Sequence, residues 1–162
     1  MTSVYIETTI PSFYYTARSD AESLARSNWT REWWETYITQ FTLYSSAAVI
    51  VELDRGTREE EKVQRLALIE GLELLEITTE VRDVASMYVE RLLMPQDAGG
   101  DALHLALASY YGVDVLLTWN CKHLANPNKF GPINAVNEEL QLTVPLLTTP
   151  LNYLSEGNSD GE

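Results

Sequence analysis

At 162 residues the chain has the length of one domain, and at 45% hydrophobic it carries enough apolar side chain for a single core. Its formal net charge of −13 argues against a general electrostatic nucleic-acid binder, which would carry a basic face, but not against an enzyme that gathers carboxylates around a cation. No apolar run approaches a membrane span and no basic-then-apolar leader opens the chain; Cys121 is the only cysteine, so internal disulfides are excluded and a reducing cytoplasm is expected.

In chain order, residues 3–6 (SVYI) read as a short apolar strand that ends at Glu7 and is followed by Thr8, Thr9, Ile10 and Pro11. Residues 20–41 read as one long helix or two short ones. Trp29, Trp33 and Tyr37 fall on one stripe and Trp34, Ile38 and Phe41 on the next, a pattern that serves a core face or a partner contact. Base stacking on this stripe would need nearby positive charge, and Arg26 and Arg31 are offset by Glu22, Glu32 and Glu35. Residues 42–45 suit a second strand. Ser45 or Ser46 then suits the cap of a helix, SAAVIVELDRG, that Gly56 stops. Glu52 lies on an otherwise apolar face of that helix, one turn from Ala48 and Val49. It either turns inward or pairs with Arg55 at the surface.

Residues 57–71 form a helix by every local signal, with Thr57 as cap, acids in the first turn and Gly71 as stop. A third strand over 72–77 and a helix over 79–93 come next, the helix presenting Val81, Val84, Ala85, Tyr88, Val89 and Leu92 inward. Residues 94–100 read as a loop in which Asp97 caps the next helix. That helix, from Asp101 to Tyr110, is apolar on nearly every side and broken by His104, so it is covered all round. The run 113–119 suits a parallel strand buried on both faces and delivers Asn120 at its end. A turn-rich stretch over 121–132, a helix over 133–140 and an edge strand over 144–147 complete the domain, set at residues 1–150. Residues 151–162 are expected to be an acidic, disordered tail. Strands alternating with helices predict an α/β three-layer fold around a parallel sheet.

Open parallel sheets place ligand sites outside the carboxyl ends of their strands. Glu7 and Asn120 each end an apolar strand, Asp101 begins the helix that feeds the second of those strands, and Glu52 comes after a strand within a turn or two. Carboxylates gathered this closely repel by roughly 4 kcal/mol per pair at about 4 Å and an effective dielectric of about 20. Either their pKa values rise or a cation sits among them, and an all-oxygen set favours Mg2+ or Mn2+. Such a centre suits phosphodiester hydrolysis.

The segments VYIETT, VELDRG, DALHLALA and LLTWNCKHLANP, in that order between Val4 and Pro127, resemble the PIN-domain ribonucleases, and among them the VapC-type toxins of bacterial toxin–antitoxin pairs. The resemblance implies a PIN-like α/β/α sandwich with a parallel sheet of about five strands and Mg2+- or Mn2+-dependent cleavage of RNA. It also implies an antitoxin protein wrapped over the helical grooves, and a homodimer. Glu7, Glu52, Asp101 and Asn120 take the catalytic and metal-holding positions, with the hydroxyls of Thr8 and Thr118 beside them. Two positions depart from the pattern. Glu7 is one methylene longer than the usual Asp, and Asn120 replaces a frequent Asp with an uncharged carbonyl. Both point to a weaker nuclease.

Cys121, His104 and His123 lack the ligand count of a structural zinc site and the third group of a thiol catalyst. His104 is expected as a core residue near Asp101, and His123 in a loop with Lys122. Arg55, Arg58, Lys62 and Lys122 are the nearest basic candidates for phosphate. The rival to a nuclease is a catalytically weak or inactive acidic α/β module that dimerises and binds a partner protein.

Overall fold

The computed structural model describes residues 1–55, 58–91, 93–94 and 100–154. Gly56 as a helix stop, Thr57 and Asp97 as caps, Leu92 as an inward residue and the tail over 155–162 lie outside the described residues.

The five strands are β1 (Ser3–Ile6), β2 (Thr42–Ser46), β3 (Glu73–Leu75), β4 (Val115–Leu117) and β5 (Leu146–Thr148), all parallel in the order β3-β2-β1-β4-β5. Helices flank the sheet in an α/β/α sandwich. The chain steps outward from β1 through β2 to β3, then returns to the other side of β1 for β4 and β5. The order therefore reverses between β1 and β4, where Tyr5 registers with Leu116. Val4, Tyr5, Ile6, Leu116 and Leu117 are fully buried, which is why these two strands read as unbroken apolar runs.

The helices are α1 (Thr9–Tyr14), α2 (Ala21–Tyr37), α3 (Ala47–Arg55), α4 (Glu59–Glu70), α5 (Thr79–Glu90), α6 (Asp101–Tyr110) and α7 (Pro127–Glu139). α2 is one unbroken helix whose Asp20 side chain accepts from Ser23 N. Its aromatics mainly serve the core: Trp33 and Trp34 are buried, while Ile38 stays exposed.

Several expectations differ from what is found. Ser45 and Ser46 belong to β2, and their buried hydroxyls reach Ile6 O and the Tyr5 hydroxyl across the sheet. The third strand contracts to three residues, with Glu73 and Leu74 exposed at the sheet edge. α1 was not expected. Pro11 falls in its first turn, where the missing N–H is no loss. α7 begins six residues earlier than its apolar spacing suggests, because Asn126 accepts from Asn128 N and Pro127 takes the first helical position. Residues 150–154 form a helical turn, and Leu151, Tyr153 and Leu154 pack against the core.

Candidate active site at the reversal of strand order

The carboxyl ends of β1 and β4 are where the site forms. Glu7 comes directly after β1 and is 2% exposed. Its Oε1 accepts from Thr9 N at 2.6 Å, the first N–H of α1. Its Oε2 accepts from Thr118 Oγ1 at 3.0 Å and Thr9 Oγ1 at 3.2 Å. Burial pushes the Glu7 carboxyl above its ordinary value, opposed by the charge of His104 and by these hydrogen bonds. Glu7 thus ties together β1, the start of α1 and the end of β4.

Glu52 projects from α3 and is turned inward, not toward Arg55. Its Oε2 accepts from Thr8 Oγ1 at 2.5 Å and its Oε1 lies 2.9 Å from His104 Nε2. Asp101 opens α6 and is 6% exposed. Burial raises its pKa, Asn120, His104 and His123 pull it back, and the charge of Glu52 adds to the rise. Gly100 explains how Glu52 reaches this spot. Gly100 adopts φ +89°, and a Cβ there would lie 2.5 Å from Glu52 Oε1. A glycine leaves that room without moving the Glu52 side chain and takes that backbone without strain.

Asn120 reaches the site from the turn after β4. Its Oδ1 accepts from Lys122 N (3.2 Å) and His123 N (3.0 Å), bracing that turn, while its side chain helps to pull the Asp101 pKa back down. A carbonyl already engaged by two backbone donors does not stand free for a ligand. Trp119, just before it, donates from its backbone N to Thr9 Oγ1 and from Nε1 to Thr30 Oγ1, each at 2.8 Å. Phe13 and Trp29 pack against its ring, and Arg26 lies over it, so α1 and α2 wall one side of the site.

His104, expected as a core residue, is buried at 1% exposure and stands in the field of Glu52, Glu7 and Asp101 together. Burial works against a charge on its ring. The hydrogen bond and charge of Glu52, joined by Glu7 and Asp101, outweigh that and raise its pKa above 6.5. The signal in the sequence was the spacing Asp101 to His104, three residues apart and hence on one helix face.

Among the described residues, no three His, Cys, Asp or Glu side chains are drawn tightly enough to hold a metal ion. In chemistry, the donors fit a hard divalent cation. Glu52 and Asp101 are two hard oxygen donors, and the charge of Glu52 makes Asp101 costlier to ionise without a cation between them. Gly100 leaves the cradle beside Glu52 open, and the buried His123 Nδ1 is unpartnered among the described residues. Glu7, satisfied on both oxygens, stands behind them. Cys121 is exposed and free, and Lys62 is committed to Asp54 and Glu59.

A family model for the PIN domain matches residues 4–122. The fold is similar to that in the crystal structure of VapBC2 from Rickettsia felis bound to a DNA fragment from their promoter, with a TM-score of 0.59 and 15% identity over 91% of this chain and 98% of the other. It is also similar to FitAcB from Neisseria gonorrhoeae, with a TM-score of 0.54 and 13% identity over the same shares, 91% and 98%. No curated protein sequence matches the chain.

Proposed function

Because the chain belongs to the PIN domain family, we propose that it is a ribonuclease dependent on Mg2+ or Mn2+ and the VapC-like toxin of a toxin–antitoxin pair. The observation that carries this reading is the meeting of Glu52 and Asp101 at the reversal of strand order, with Glu7 behind them. A divalent cation there would supply a Lewis acid for a phosphodiester oxygen and ready a water for attack. Glu52 and Asp101 are the groups to hold it, and Asn120 steadies Asp101. Glu7 keeps the floor of the site together and deepens its negative potential. Lys122 and His123 lie on the turn that Asn120 braces, and we assign them to a substrate phosphate.

The fold likeness to VapBC2 and FitAcB supports a protein antitoxin as partner, and we assign a homodimer to the same reading. Among the described residues no helix is long and apolar enough to cross a membrane. The single exposed thiol, Cys121, suits a reducing cytoplasm.

One observation favours a second reading, a weak or inactive PIN-like module that acts through its partner and through dimerisation. Glu7 and Glu52 already have protein donors on both oxygens. Thermal melting with Mn2+ separates the two. A ribonuclease gains melting temperature with Mn2+, because the cation binds only the folded chain, and Asp101→Asn abolishes the gain. Glu52→Gln removes RNA cleavage. A wild-type protein that neither shifts nor cleaves leaves the second reading standing, and cleavage that survives Glu52→Gln without metal contradicts the assigned site.

A further inference from the structure

Four side chains from four elements, β2, β1, α6 and α3, form one buried line ending at Glu52. Ser46 Oγ of β2 lies 2.8 Å from the Tyr5 hydroxyl of β1, which lies 2.7 Å from His104 Nδ1 of α6. The other ring nitrogen, Nε2, lies 2.9 Å from Glu52 Oε1 of α3. Tyr5, Ser46 and His104 are all at most 1% exposed, so water does not compete for these bonds.

From this geometry we infer that His104 is a positioning residue, which fixes the Glu52 carboxylate through a hydrogen-bond line anchored on Tyr5 and Ser46. The carboxylate oxygen only accepts, so Nε2 carries a proton and donates. With a neutral ring, Nδ1 accepts from the Tyr5 hydroxyl and Tyr5 accepts from Ser46. With a charged ring, Nδ1 donates to Tyr5 and Tyr5 donates to Ser46. The direction of the inner bonds reverses, but the bond to Glu52 keeps its sense, so the hold does not depend on the charge of the ring. Thr8 Oγ1 donates to the second carboxylate oxygen, and Gly100 removes the Cβ that would push the carboxylate away. Glu52 is therefore held at both oxygens, yet each oxygen keeps a further lone pair for a ligand. A terminal carboxyl on a long side chain loses rotamer freedom at this point in advance of any binding.

The consequence for a cation rests on the proposed metal-dependent ribonuclease. An outer partner that orients a metal-holding side chain typically accounts for about 10- to 100-fold in metal affinity. His104→Asn keeps a group facing Tyr5 and loses the one facing Glu52. His104→Gln reaches the place of Nε2 and keeps a donor for Glu52. Tyr5→Phe leaves the ring in place but removes its anchor.

The test has two arms. The first reads the metal-free protein by 15N NMR of the His104 ring. The expected spectrum has a proton on Nε2 whose signal moves when Glu52 is changed to Gln. A ring protonated on Nδ1 alone, or a signal indifferent to Glu52→Gln, overturns the proposal whatever the protein does with metal. The second titrates Mn2+ alone and reads free ion by EPR. We expect His104→Asn to weaken Mn2+ by about 10- to 100-fold, His104→Gln to recover most of it, and Tyr5→Phe to fall between. Equal affinities for Asn and Gln variants that keep the wild-type circular dichroism overturn the proposal. Wild-type protein that takes up no Mn2+ overturns the cation reading, and the first arm then decides the hold on Glu52 by itself.

Discussion

The two ends of the β1–β4 pair carry the same kind of bond in opposite surroundings. At the amino end, Asp114 Oδ2 accepts from Ser3 N and Ser3 Oγ at 2.9 and 3.1 Å, and Asp114 N donates back to Ser3 Oγ at 2.9 Å. At the carboxyl end, Glu7 accepts from a backbone N–H and two hydroxyls. Asp114 stitches the two strands to each other, and Glu7 stitches them to the start of α1. Asp114 is exposed, and water can replace any bond it loses. Glu7 is buried, its charge is opposed by burial, and nothing can stand in for it. An acid at a strand end is thus cheap to keep at one end of the sheet and costly at the other, and the costly one lies beside Glu52 and Asp101.

The sharpest way to break this comparison is Glu7→Ala. It removes the acceptor of Thr9 N and of the Thr118 hydroxyl proton beside the buried end of β4, and a loss of about 2–4 kcal/mol is expected from the lost bonds and the space left behind. Urea denaturation followed by circular dichroism measures it. Glu7→Gln keeps an acceptor for Thr9 N and gives up the charge, so it should retain most of the stability. If the Ala and Gln variants unfold at the same urea concentration, the acceptor geometry of Glu7 is not what holds these ends together.

The pH dependence of the metal-free protein is the next largest effect. Glu7, Asp101 and His104 all have raised pKa values, so the folded chain holds their protons more tightly than the unfolded chain does. Stability from such groups is full below the unfolded values and is lost as pH rises through the folded ones. The melting temperature should therefore decline as pH is raised above the ordinary values of 3.8 for Asp101, 4.5 for Glu7 and 6.5 for His104. Asp20, held low by the hydroxyl and N–H of Ser23, works in the opposite sense, but only below 3.8. Glu7→Gln should flatten the slope in the acidic range. An unchanged slope would place the linked protons elsewhere.

How much of this was legible depended on how far apart the cooperating residues stand. β1, β4 and α6 announce themselves, because burial on all sides leaves an unbroken apolar run. The acids could be placed at one sheet edge from strand ends and helix starts alone. α1 was hidden by Thr-Thr-Ile-Pro-Ser, which reads as a turn until Pro11 is recognised as a first-turn residue. α7 was hidden by Gly131 and Pro132, which suggest a break, although Asn126 and Pro127 are a sound start. The hold on Glu52 could not be read. Tyr5 looks like any inward strand residue, His104 like a core histidine, and Ser46 like a helix cap. Their partnership exists only once four elements are packed, and no local pattern encodes it.

The smallest effect belongs to the other end of the strand pair. Asp114→Ala removes the acceptor for Ser3 N and Ser3 Oγ, but both groups turn to water, and the Asp114 N–H to Ser3 Oγ bond survives. A loss of about 0.5–1 kcal/mol is expected, the net worth of solvent-accessible hydrogen bonds. It should appear as a shift of the urea midpoint with no change in slope, since the surface exposed on unfolding is unaltered. The pH profile should keep the wild-type shape, because Asp114 lies at the far end of the strands from the groups that set it. A loss as large as that of Glu7→Ala would mean that the pairing of β1 with β4 is set at its exposed amino end, and that burial is not what separates the two acids.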